Sequence, residues 1–170
     1  MSLGDRLVEK LKGGADGPVE VEADAVKATV DVVGSGPYGS EVRAISIERK
    51  APRGADDAER ARRFQQTVDG IAERVNYLPE RVVPFETAPS QGRGLLRTPR
   101  GQVDGREYYE VTVDGGDRVD VERFRGRDAG GRDRITDNYG HGVLKRLVDD
   151  VADLVGDRRE AIRSDESLDD

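Results

Sequence analysis

The chain has 170 residues, 35% of them hydrophobic and 37% charged, with no cysteine and a net charge of −7. That length suits one domain with a modest core, and the missing cysteines exclude a disulfide framework, a thiolate metal site and a cysteine nucleophile. The charge is uneven: residues 149–170 hold nine acids and three bases, whereas the other 148 residues hold 25 bases and 26 acids.

The first residues, MSLGDRLVEKLKGG, lack the apolar stretch of a secretory signal. No apolar run approaches the roughly 18 residues of a membrane-crossing helix. A cytoplasmic protein that does not engage a membrane is expected.

Ser2 and Asp5 have capping-box spacing, and Leu3, Leu7, Val8 and Leu11 follow as one apolar stripe. A short N-terminal helix is predicted, ended by Gly13-Gly14. Strands follow at 19–22, at 28–32 and at 42–48, the last two flanking the loop GSGPYG as a hairpin over 26–48. Asp56 and Glu59 then predict the start of a helix over 57–76, with Ala61, Phe64, Val68, Ile71, Ala72 and Val75 inward.

Val82-Val83-Pro84-Phe85 reads as an extended edge segment, because Pro84 has no amide to give a ladder. A short strand is expected at 95–98. Tyr109, Val111 and Val113 alternate with Glu110 and Thr112, and Asp114-Gly115-Gly116-Asp117 turns the chain back through Val119 and Val121. That predicts a second hairpin over 106–124. A further short strand is expected near 134–137, then a helix over 142–156 carrying Leu144, Leu147, Val148, Val151 and Leu154. Residues 157–170 read as an acidic, frayed or disordered tail.

These elements predict an α+β fold: a mainly antiparallel sheet, two amphipathic helices on one face, and a short N-terminal helix. Residues 1–156 form its single domain. The helical segments FQQTVDGIAERV and LKRLVDDVADLV lie 80 positions apart and agree at Val68/Val148, Asp69/Asp149, Ala72/Ala152 and Val75/Val155. An internal pseudo-repeat of 15–78 and 79–156 is therefore one reading. Agreement between two apolar stripes is the other.

VVGSGPYG resembles the opening of a Rossmann dinucleotide-binding domain. The resemblance implies a nucleotide or flavin on the Gly34–Gly39 loop, a helix after the glycines and an acid about 20 residues on. Here a strand follows at once, and Glu48 comes early. His141 is the single histidine. At a helix start it is a candidate neutral base or ligand, which would need Ser35, Ser40 or Ser90 beside it for nucleophilic chemistry. Glu107 with Glu110, and Asp120 with Glu122, are expected as solvated charges on exposed strand faces. No catalytic, cofactor-binding or metal-binding residue is assigned.

Two segments are rich in arginine. Residues 81–106 carry five arginines against two acids, and residues 123–134 carry five against two. Arg93, Arg97, Arg100, Arg123, Arg125 and Arg127, near Tyr108, Tyr109 and Phe124, are the candidate contacts to an anion or nucleic acid. Pairing with nearby acids or with the tail is the competing reading.

The order helix, strands, helix, strands, helix, with an acidic chain, is similar to that of the small chaperones of type III secretion. It implies a homodimer joined by a helix or a sheet edge. The leading expectation is a non-catalytic protein-interaction or chaperone-like module. The alternatives are nucleic-acid binding through the arginine-rich loops, modulated by the tail, and nucleotide or flavin binding at the Gly34–Gly39 loop.

Overall fold

Capping chemistry sets two of the three helix starts. In the computed structural model, which describes residues 1–51, 54, 56–99 and 106–156, α1 is Leu3–Lys12, α2 is Asp57–Arg74 and α3 is His141–Val155. Ser2 and Asp5 form a reciprocal capping box on α1, and the Asp56 side chain accepts from the Glu59 amide on α2. Both arrangements satisfy amides that a helix start leaves open. α3 follows Gly140 and has no side-chain cap. Each helix buries most of its predicted stripe: Leu3, Leu7 and Leu11; Phe64, Val68 and Ile71; Leu144, Leu147, Val148 and Val151, whereas Val8, Ala61, Ala72 and Leu154 are only half-buried and Val155 takes the inward place at the end of α3.

The strands are β1 Gly17–Ala23, β2 Val26–Ser35, β3 Gly39–Arg49, β4 Val83–Ala88, β5 Arg93–Arg97, β6 Glu107–Asp114, β7 Arg118–Gly126, β8 Arg132–Ile135 and β9 Asp137–Gly140. They make an open antiparallel sheet whose main path is β1-β2-β3-β7-β6-β5-β4. The two predicted hairpins are β2–β3 and β6–β7, and they join through β3 against β7. The α+β architecture with a mainly antiparallel sheet is as its periodicity predicts.

Register turns the apolar alternation into continuous rows. Val19, Val30, Ile45, Val121, Val111 and Leu96 stand opposite one another across six strands, and Val21, Ala28, Ile47, Val119 and Val113 form the next row. All eleven are buried beneath the helices. The period of two sends the intervening residues to the opposite face, which no described helix covers. That uncovered face carries the candidate site.

α3 packs against both α1 and α2. The close approaches need glycine: a Cβ on Gly4 would lie 2.5 Å from the Lys145 carbonyl oxygen, and one on Gly70 would lie 2.5 Å from Leu154 Cδ2. Asp149 of α3 also accepts from the Ser2 hydroxyl at 2.9 Å and from the Gly4 amide at 2.7 Å. The start of α1 is therefore tied to α3 by a carboxylate rather than by apolar packing alone.

One region departs from the sequence prediction. A single short strand is expected at 134–137, but the chain makes two, β8 and β9. β3 and β7 pair over Ala44–Glu48 and Arg118–Glu122 and then separate. β8 pairs with β7 beyond that point, and β9 pairs with β3, so the two fill a fork in the sheet. At the bend between them the Thr136 hydroxyl donates to Glu41 Oε1 at 2.7 Å. Asp137–Gly140 has no apolar alternation; only its Tyr139 is buried. The expectations for 157–170 and for Arg100 fall outside the described residues.

Candidate anion site on the open sheet face

Adjacent tyrosines on β6 point to opposite faces. Tyr109 faces the helices, and Tyr108 faces the open side, directly opposite Phe124 on β7. The Tyr108 and Phe124 rings stack with centroids 5.9 Å apart and planes 28° from parallel. The Arg97 guanidinium lies 3.8 Å over Tyr108, and that of Arg132 lies 3.8 Å over Phe124. Four neighbouring strands thus contribute one ladder, Arg97–Tyr108–Phe124–Arg132. Phe85 on β4 adds a second ring 4.9 Å from the Arg97 guanidinium.

A hollow of about 470 Å³ opens at the end of this ladder, lined by Arg97, Arg106, Tyr108, Gly126, Arg127, Asp128, Gly131 and Arg132. Three of its four arginines have carboxylate partners. Arg132 donates to Glu110 at 2.5 Å and to the Tyr108 hydroxyl at 3.3 Å. Those two hydrogen bonds, Glu110 first, raise its pKa above the ordinary arginine value. Arg127 pairs with Asp133 at 2.7 Å, and Arg106 with Asp128 at 2.5 Å. Arg97 differs: among the described residues no carboxylate pairs with it, and its Nε is buried without a hydrogen-bond partner. Its cross-strand neighbour Glu110 is engaged by Arg132 instead, and the contacts of the Arg97 guanidinium with the Tyr108 and Phe85 rings are worth about 0.5–1 kcal/mol at such a site.

Of the six arginines singled out from the sequence, the fold brings Arg97 and Arg127 together. Arg93 stands at the far end of β5, 3.7 Å from Asp114. Arg123 and Arg125 lie on the helix face, where alternation places odd-numbered residues of β7. Arg123 stacks 4.3 Å over Tyr109 and pairs with Glu107 at 3.3 Å and Glu80 at 3.7 Å. Arg125 Nε donates to Glu107 at 3.0 Å. That bond, together with the Arg123 contact, holds the Glu107 carboxyl below the usual range. Arg106 and Arg132 were within the arginine-rich segments but not singled out. Their signal was parity for Arg132, and for Arg106 its place beside the start of β6.

The carboxylate expectation needs correction at one position. Glu107 and Glu110 do not share a face, and Glu110 is buried rather than solvated, only 8% exposed, because Arg132 and the ladder cover it.

A second hollow, of about 560 Å³, lies between the GSGPYG loop and β9. The chain runs from β2 directly into antiparallel β3 there, with no helix after the glycines. The fold does bring one of the candidate serines, Ser40, beside His141, with Ser35 next in line. Ser40 Oγ is 3.1 Å from His141 Nε2, and Ser35 Oγ is 2.7 Å from Ser40 Oγ. No described carboxylate orients the ring: His141 Nδ1 is buried without a partner, and Asp137 instead accepts from the Tyr109 hydroxyl. Burial, with the charge of Lys12 adding to it, holds the imidazole below its ordinary pKa of 6.5. The start of α3 opposes an imidazolium as well. A ring whose charged form is disfavoured is a weaker base toward Ser40 than an ordinary histidine. The three side chains instead pin the hairpin tip to the start of α3, where the His141 amide also donates to the Tyr38 carbonyl at 2.9 Å.

No protein-family model, curated protein or solved structure matches this chain. The class is therefore defined by its own geometry: an α+β domain with helices on one face of an antiparallel sheet and an arginine-aromatic ladder on the other. No described helix is long and apolar enough to cross a membrane.

Proposed function

We propose that this chain is a non-catalytic binding module that takes one compact anionic group, a phosphate or a carboxylate, in the hollow between Arg97 and Arg132. The observation that carries the reading is Arg97. It is a cation without a carboxylate in the described chain, stacked in place beside three further arginines. A planar guanidinium fork held in advance loses little freedom on meeting an anion.

The rest of the open face argues for one anionic group rather than a long polyanion. Its cations are already matched: Lys27 with Glu48 at 3.5 Å, Arg118 with Asp120 at 3.0 Å, and Arg134 with Glu122 at 3.2 Å. A nucleic-acid backbone would need an unmatched basic track, and the ion pairs among the described residues of this face leave none beyond the hollow. The anionic group sits on a partner protein or on a small molecule; the chemistry of the hollow serves both.

Calorimetric titration at low salt tests this with inorganic pyrophosphate, citrate and a 15-residue oligothymidylate. Pyrophosphate or citrate is expected to bind, and Arg97→Ala to weaken that binding about tenfold or more. If neither compact anion binds, the proposal fails. If only the oligonucleotide binds, with an affinity falling steeply as salt rises, nucleic-acid binding replaces it.

A homodimer is the second reading, favoured by β4. This strand lies at the end of the sheet path and exposes Val83 (37%) and Phe85 (55%). Pro84 and the bulge beside it guard this edge against strand addition, so such a dimer would be joined by the exposed Val83 and Phe85 side chains rather than by extending the sheet. Light scattering decides between these: a mass equal to one chain at high concentration removes the dimer.

A further inference from the structure

Resting on the anion-site reading of the hollow, we infer that Glu110 is the internal competitor for Arg97, and that Arg132 is the positioning residue that holds Glu110 away and keeps the site open.

Register sets up the competition. On the open face Arg97 of β5 stands directly opposite Glu110 of β6, which stands opposite Glu122 of β7. Side chains so placed begin about 5 Å apart, and opposite charges there attract. By itself this row offers Arg97 a carboxylate. β8 changes the count. Its Arg132 and Arg134 stand opposite Gly126 and Phe124 and so fall on the same open face. Arg132 takes Glu110 through both arms of its fork, at 2.5 and 3.4 Å, and Arg134 takes Glu122 at 3.2 Å. Both acids are thus claimed from β8, and Arg97 is left with the Tyr108 and Phe85 rings.

Glu110 is too enclosed to stand alone. It is 8% exposed, and a buried carboxylate stripped of its partner is strongly destabilising. Its alternative in register is Arg97. Glu110 and an external anion are therefore rivals for one guanidinium, and whatever holds or frees Arg132 sets the affinity. Arg132 acts through Glu110 rather than by lending its own charge to the ligand, because its fork is already filled.

Calorimetric titration of the full chain with inorganic pyrophosphate tests this. Arg132→Gln is expected to weaken binding about tenfold or more, as Arg97→Ala does. Adding Glu110→Gln to Arg132→Gln is expected to restore binding to within about threefold of the unmodified chain, since the amide no longer neutralises Arg97. Arg134→Gln removes the same charge from the same strand and should change affinity less than about twofold. Urea unfolding reads the exchange without ligand. Arg97→Ala should lower the midpoint more in the Arg132→Gln background than in the unmodified chain, because only there does it break an ion pair.

Binding that stays weak in the double variant overturns the positioning role and makes Arg132 a direct contact of the anion. Unchanged binding in Arg132→Gln, or an equal loss in Arg134→Gln, overturns it too, and leaves the anion site standing if Arg97→Ala still weakens binding. Failure of every form to bind pyrophosphate overturns the reading of the hollow itself. The urea comparison then decides alone, and equal midpoint losses in the two backgrounds remove the exchange of Glu110.

Discussion

Arg97 and Arg123 are near-equivalents on opposite faces of one sheet. Each stacks over a tyrosine of β6, at 3.8 Å over Tyr108 and 4.3 Å over Tyr109. On the helix face Arg123 is enclosed, its side chain 11% exposed, with Glu80 and Glu107 for charge partners. On the open face Arg97 has the aromatic support without the carboxylate. The difference teaches how to separate a structural arginine from a binding one. Stacking orients both, but only the missing counter-charge leaves a fork for something else to fill. A buried cation without its partner would be costly on the helix face. On the open face solvent lowers that cost until a ligand arrives.

The largest expected effect comes from breaking the enclosed pair. Glu80→Ala leaves Arg123 with Glu107 as its remaining ion-pair partner and should destabilise the chain by about 2 kcal/mol in urea unfolding. Arg97→Ala should cost under about 1 kcal/mol, the loss of its stacking, while removing anion binding. Equal stability costs for the two would erase the distinction between the faces.

Next in size is a pH effect with two windows. His141 has a folded pKa below its unfolded value near 6.5. The neutral ring is favoured in the fold, so its contribution is complete above about pH 6.5 and declines as pH falls through the folded pKa. His141→Asn should flatten the fall in stability between pH 7 and 5, followed by thermal unfolding. Glu107 has a folded pKa below its ordinary 4.5, so its support of Arg123 is complete above about 4.5 and is lost in more acid solution. Arg97 has no such carboxylate to lose. Anion binding at Arg97 should therefore respond to the ligand's own ionisation rather than to Glu107 when binding is titrated across pH 5 to 4.

The smallest effect is at the ladder's far end. Arg132→Lys keeps the charge but gives up the planar contact with Phe124 and the forked bond to Glu110, and should weaken pyrophosphate binding a few-fold. No change in affinity would confine the site to Arg97 and its nearest neighbours.

Much of this was legible in the chain. The spacing of Phe64, Val68 and Ile71 specifies a helix with one buried stripe whatever it packs on, and Val111/Val113 specify a half-buried strand in the same way. Pro84 marked an edge strand because a missing amide is a local fact. The alternation around Tyr108 and Tyr109 already placed them on opposite faces. It did not pair Tyr108 with Phe124 or bring Arg132 over that ring, because both contacts depend on register across strands. Asp137–Gly140 was unreadable as a strand because its role is to fill a fork that exists only once β3 and β7 have separated.

The sequence by itself determined the periodic elements, the helix caps at Ser2 and Asp56, and the α+β class. These follow from interactions within a few residues of one another. Only the tertiary structure decided which arginines keep a carboxylate. Arg123 follows Glu122 directly in the chain, whereas Arg97 sits among Leu95, Leu96, Thr98 and Pro99, and strand parity sends the two arginines to different faces. There distance and burial, not sequence proximity, select the partner.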